Sequence, residues 1–119
     1  MNDQENRLHN LIEYLTINDY QNIRSHLLSC CTAGKDGNFS ISDAYTPDAI
    51  AEKDGKTYYF EIETAASLKD QNNLFQLQEL QKLFDHGNEI FCVIVPNVAD
   101  IRLGEIMNMG GNFNVWFID

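Results

Sequence analysis

Three carboxylates carry the chemistry this sequence could support. Asp48 follows Pro47, and Glu61 and Glu63 flank Ile62 at the end of an aromatic run, Thr57-Tyr58-Tyr59-Phe60. Side chains alternate along a strand, so Tyr59, Glu61 and Glu63 share one face and Tyr58, Phe60 and Ile62 the other. Two carboxylates one pleat apart repel each other. An antiparallel partner strand with Asp48 near the same end adds a third like charge. Solvent, a proton or a cation must then intervene. A hard divalent cation is the economical answer, because Mg²⁺ takes oxygen ligands and often only one or two carboxylates.

The surrounding elements must hold these groups. Residues 48–52 and 57–63 read as a hairpin, turning at Asp54-Gly55, where positive φ is tolerated. Upstream, Leu8, Leu11, Ile12 and Leu15 recur at helical spacing and predict an amphipathic helix over residues 3–17. Asn18-Asp19 signals a turn. Residues 23–31 read as a strand, with a second helix as the alternative, and 33–40 as an exposed glycine-containing loop. Beyond Thr64 the period changes. Leu74, Leu77, Leu80 or Gln81, and Phe84 mark one face of a helix over 69–86, with Gly87 as its stop. The continuous apolar run at 90–95 predicts a strand buried on both faces. Leu103, Ile106 and Met107 suggest a short helix closed by Gly110-Gly111, and 113–118 a final strand. The expected architecture is α/β: one domain over residues 1–119, with a mixed central sheet flanked by helices in the order αβββαβαβ.

Composition narrows the function classes. A chain of 119 residues fits one core. No apolar run is long enough to cross a bilayer, and the polar, acidic stretch Asn2-Asp3-Gln4-Glu5-Asn6 is unlike a secretory signal. Three cysteines, two of them adjacent, argue against a disulfide framework and for a reducing cytoplasm. Neither they nor His9, His26 and His86 show zinc-ligand spacing. The formal net charge of −10, with lysines and arginines scattered, counts against tight unaided binding to long DNA. A local basic rim around a metal-filled centre is still compatible with it.

Pro47-Asp48, a hairpin, Glu61-Ile62-Glu63 in its second strand, then a helix and an apolar strand: this order resembles the PD-(D/E)xK nuclease superfamily. The resemblance covers most of the chain in element order but only Pro47-Asp48 and Glu61-x-Glu63 in residues. It implies a restriction endonuclease-like fold and assigns Mg²⁺ or Mn²⁺ to Asp48 and Glu61, with the carbonyl of Ile62 as a further ligand. It also suggests a helix-1 glutamate, for which Glu5 is the candidate. The family's third motif position is a lysine. Here it is Glu63, which cannot supply positive charge to a transition state. Some members carry that cation on the following helix, where Gln78 and Lys82 stand at i, i+4 and Lys69 at the start.

Each feature also has a plain structural reading. An E-x-E in a strand is commonly a solvated sheet face, and Lys82 by default a surface lysine. Two functions of different class follow. One is a divalent-metal-dependent endonuclease acting on DNA, with Glu63 accepting the water's proton and Lys82 offsetting transition-state charge. The other is an inactive nuclease-fold module whose acidic surface binds a basic protein, as an inhibitor, immunity-like protein or assembly subunit would. A chain this small also invites a homodimer or a partner protein. A nucleotide-binding α/β domain is a third class without specific support.

Overall fold

A computed structural model describes residues 3–25, 47–64, 66–84, 86–96 and 114–119. Helix α1 (Asp3–Ile17) leads into β1 (Gln21–Arg24). The hairpin β2 (Ala49–Lys53) and β3 (Lys56–Ile62) follows, then a 3₁₀ turn (Ser67–Lys69) and helix α2 (Gln71–Phe84). Strands β4 (Glu89–Val95) and β5 (Asn114–Phe117) complete the described elements. The five strands form one sheet in sequence order. β1, β2 and β3 pair antiparallel, whereas β4 and β5 run parallel to β3. The described part is thus a mixed α/β fold, with β4 in the sheet interior and a helix on each face.

Local sequence explains the boundaries. Asp19 takes a left-handed φ of 66° at the end of α1. There the Tyr20 N–H reaches the Leu15 carbonyl at 3.0 Å and the Asp19 N–H reaches that of Thr16 at 3.3 Å, a Schellman closure made without glycine. The hairpin turns on Asp54 and Gly55, both at positive φ, between paired Lys53 and Lys56. The helix expected from residue 69 instead begins with the 3₁₀ turn. Asp70 is extended, and its carboxylate accepts the Asn72 N–H at 2.9 Å, so α2 proper starts after it. α2 ends at Phe84, two residues short of the expected end, and Gly87, at φ 65°, follows three residues on. β1 starts at residue 21 rather than 23. The remainder of the expected 23–31 strand beyond residue 25, the 33–40 loop and the 103–107 helix lie outside the described residues.

Alternation in the strands makes two cores. Ile50, Tyr59, Phe91, Val93 and Val95 meet Leu74, Leu77, Leu80 and Phe84 of α2. Ala49, Ala51, Phe60, Ile62, Cys92 and Ile94 meet Leu8, Leu11 and Leu15 of α1. Tyr59 belongs to the core: its ring lies 5.5 Å from that of Phe84, and its hydroxyl donates to Glu89 at 3.2 Å.

One buried cation fixes α1 on the sheet. Arg7 is only 3% exposed. Its Nε–H donates to the Ile118 carbonyl at 3.2 Å, Nη2 to that of Ile94 at 3.1 Å, and Nη1 to that of Glu63. These are the carboxyl ends of β5, β4 and β3. The Glu63 N–H donates to Ile94 O at 2.8 Å. By the same parallel register the Glu63 carbonyl should receive the N–H of residue 96, but Pro96 has none. Arg7 takes its place. Each fully buried leucine of α1 is worth about 2 kcal/mol, so burial holds the helix down. The guanidinium decides where along the sheet it sits.

Arg7→Met should therefore lose about 3 kcal/mol of unfolding free energy in urea, because it orphans buried carbonyls. Arg7→Lys should recover only part, since a compact ammonium cannot span carbonyls on three strands as the planar guanidinium does. An unchanged urea midpoint for Arg7→Met would show that the clasp carries no stability.

Candidate metal site at the carboxyl end of β3

Asp48 and Glu61 stand beside each other. Extending the Ala49↔Phe60 register by one residue puts Asp48 opposite Glu61. The Asp48 N–H donates to the Phe60 carbonyl at 3.0 Å, and its carboxylate Oδ2 accepts the Ile62 N–H at 2.8 Å. Asp48 thus brackets Glu61 with one backbone and one side-chain bond. From the other side, the buried Ser25 hydroxyl donates to the Asp48 carbonyl at 2.8 Å. Both acids are half-buried. By strand alternation Glu61 lies on the α2 side of the sheet, with Tyr59 and Val93.

Glu63 plays a different part. It lies one residue past β3 and is 6% exposed. The Ser67 hydroxyl donates to its Oε1 at 3.0 Å, and the Asn73 amide donates to the same oxygen. Asn73 also donates to the Ser67 carbonyl at 3.0 Å. Thr64 and Ser67 exchange reciprocal side-chain bonds at 2.9 Å, which sets the turn that aims Ser67. Burial pushes the Glu63 carboxyl above its ordinary range. The Asn73 and Ser67 bonds oppose that shift, the Asp48 charge adds to it, and Arg7 opposes it weakly. Glu63 thus ties the end of β3 to the start of α2.

The other expected residues are spread out. Lys82 does not pack over the end of β3. Its side chain is 73% exposed and its ammonium lies 3.4 Å from Glu79. The reason is helix length and phase: from Asn73 to Lys82 the axis rises about 13 Å, toward the amino end of the strands. Gln78 is half-buried on the flank of α2, between these two points. Glu5 is half-buried near the start of α1, at the carboxyl end of the strands but on the helix that covers the opposite face. The Lys69 side chain lies outside the described set.

Among the described residues, no three His, Cys, Asp or Glu side chains are grouped to hold a metal ion. A cation here would rest on Asp48, Glu61, the Ile62 carbonyl and water. That set suits Mg²⁺, which keeps several waters and needs only one or two carboxylates. The Ile62 N–H donates to Asp48 Oδ2, which orients the carboxylate beside Glu61. Glu63, turned to Ser67 and Asn73, is not part of that set.

Sequence reasoning missed Arg7, Ser67 and Asn73. Arg7 was legible: it stands four residues before Leu11 and eight before Leu15, on the apolar stripe. The Thr64-x-x-Ser67 spacing was a capping signal just after the acids. Asn73 carried no pattern of its own. No family model, curated protein or solved structure matches the chain.

The Glu63 shift gives a pH test. A carboxyl whose folded pKa exceeds its unfolded value costs stability above the folded pKa, and that cost disappears as pH falls toward the ordinary 4.5. Wild type should therefore gain melting temperature relative to Glu63→Gln as pH is lowered from neutrality, with glutamine retaining an oxygen acceptor. Parallel melting profiles for the two proteins would show that burial of this charge has no cost.

Proposed function

We propose that the chain is a nuclease-like domain that holds a divalent cation, Mg²⁺ or Mn²⁺, at Asp48 and Glu61 and engages DNA phosphate there. The observation that carries the reading is the cross-strand placement of these two acids, with Asp48 oriented by the Ile62 N–H. The αβββαβ order from α1 to β4 and the parallel pairing of β3 with β4 also fit a restriction endonuclease-like fold. A bound cation would supply Lewis-acid polarisation of a phosphodiester and a more acidic water. Asp48 and Glu61 would orient that centre. Glu63, buried and bonded, would hold the strand end rigid against α2, and Arg7 would hold it from the other face.

A second reading rests on its own observation. Lys82 faces solvent beside Glu79, and Glu63 is engaged by Ser67 and Asn73. With the net charge of −10, this favours a non-hydrolytic acidic module that binds a basic protein partner.

Calorimetric titration with Mn²⁺ separates these from a solvated acidic face. Wild type should bind, and Asp48→Asn should lose at least about ten-fold in affinity, while its amide oxygen still accepts the Ile62 N–H. Equal heats for both would refute the site. Metal-dependent cleavage of single-stranded, duplex or branched DNA would select the nuclease; metal binding without cleavage selects the binding module. Lys82→Ala should change neither readout.

A further inference from the structure

Arg24 shares a sheet face with the acids. In an antiparallel pair, residues directly opposite each other point to the same side. Arg24 stands opposite Ile50, and Ile50 opposite Tyr59. Alternation along β2 and β3 carries that face two residues on, to Asp48 and Glu61. Arg24 is thus the diagonal neighbour of Asp48, with Cα atoms about 7–8 Å apart by sheet geometry. Next along the chain, the Ser25 hydroxyl donates to the Asp48 carbonyl at 2.8 Å, and Ser25 is buried. That bond fixes the end of β1 against Asp48, and with it the backbone position of Arg24.

The Arg24 side chain is held less firmly. Its Nε–H donates to the Asn22 carbonyl at 3.1 Å, and Nη2 lies 3.5 Å from Glu52 Oε2. The two side chains are 30% and 43% exposed, and an ion pair in that setting is weak. The Asn22 amide donates to the same Glu52 oxygen at 3.1 Å, so Glu52 keeps a partner when Arg24 leaves. The other described cations are placed elsewhere. Arg7 is sealed against the carbonyls of three strand ends, and Lys53 lies 4.9 Å over the Tyr20 ring on the α1 side. Lys82 sits beside Glu79, and Lys56 at the turn end of the hairpin.

We propose that Arg24 holds a DNA phosphate, the one next to that engaged by the cation at Asp48 and Glu61. This rests on the metal site proposed above and adds a second contact for the same strand. A guanidinium presents paired N–H groups that match two phosphate oxygens, whereas the contact with Glu52 uses one nitrogen at a long distance. Charge makes such a contact necessary. With a net charge of −10, the chain repels a polyanion unless cations offset it locally. The metal offsets the two acids, and Arg24, diagonal to them, meets the neighbouring phosphate. Glu52 then competes with DNA for the guanidinium and acts as a brake on binding.

Fluorescence anisotropy of a labelled single-stranded oligonucleotide, titrated with the full chain in Mn²⁺ at several salt concentrations, tests this. Arg24→Ala should weaken binding about ten-fold or more. It should also reduce the slope of log affinity against log salt by about 0.7, the share of one phosphate on a single strand. Arg24→Lys should keep the slope and lose part of the affinity, because an ammonium meets phosphate as a point charge. Glu52→Gln should tighten binding. Calorimetry with Mn²⁺ alone separates the two claims: Arg24→Ala should not weaken metal binding, since it removes a positive charge from beside the site. Should Arg24→Ala fail to fold by circular dichroism, Arg24→Gln, which keeps most of the stem, takes its place. Wild-type DNA affinity and salt slope in the variant, with Mn²⁺ still bound, overturn the role of Arg24 and leave the metal site standing. A wild type that binds Mn²⁺ but no DNA overturns it as well. A wild type that binds no Mn²⁺ removes the metal site and this inference together.

Discussion

A guanidinium placed on the carbonyl ends of three parallel strands is the constraint on which the rest depends. Arg7 is nearly sealed from solvent and meets Glu63, Ile94 and Ile118. Burying that charge is costly unless its hydrogens are well placed. The carbonyls at the strand ends lie where the ladder runs out, and Pro96 leaves the Glu63 carbonyl without its expected donor. One side chain thus meets acceptors from three strands at once.

The same substitution of side chain for backbone recurs on the opposite edge of β3. Asp48 uses its carboxylate to take the Ile62 N–H, just after Pro47, which has no N–H of its own. The chain's two prolines therefore both stand at the carboxylate end of the sheet, at the start of β2 and the end of β4. Between them, β3 ends in a frame of side chains: Asp48 on one edge, Arg7 on the other, Glu63 running to α2. The candidate metal site sits inside this frame, so its geometry is set by groups that also stabilise the fold.

Much of the fold was legible because its signals were local. The stripe at Leu8, Leu11 and Leu15 gave α1, Asp54-Gly55 the hairpin, and the run at 90–95 the strand covered on both faces. The start of α2 was less legible, because Thr64, Ser67 and Asp70 set a 3₁₀ turn through short polar bonds that a hydrophobic period does not register. For the site, alternation alone gave the shared face of Tyr59, Glu61 and Glu63. It could not separate the roles of the last two, because burial of Glu63 depends on Ser67 and Asn73. Lys82 shows the limit of helical spacing: i, i+4 arithmetic put it on a face with Gln78 but said nothing of its distance along the axis from β3. Arg7 was overlooked because arginine reads as surface unless its place on the apolar stripe is weighed against its charge.

The Arg7 bonds span sequence separations of 56, 87 and 111 residues. The hairpin, by contrast, closes across two residues. Loop-closure entropy makes the short contact cheap to form early, whereas the long ones wait for strands already in place. The order of assembly therefore runs from the turn at Asp54-Gly55 toward the opposite end of the sheet. Asp48 and Glu61 face each other across that hairpin, so the local contact that is cheapest to close is also the one that draws the candidate site together, ahead of the long-range clasp behind it.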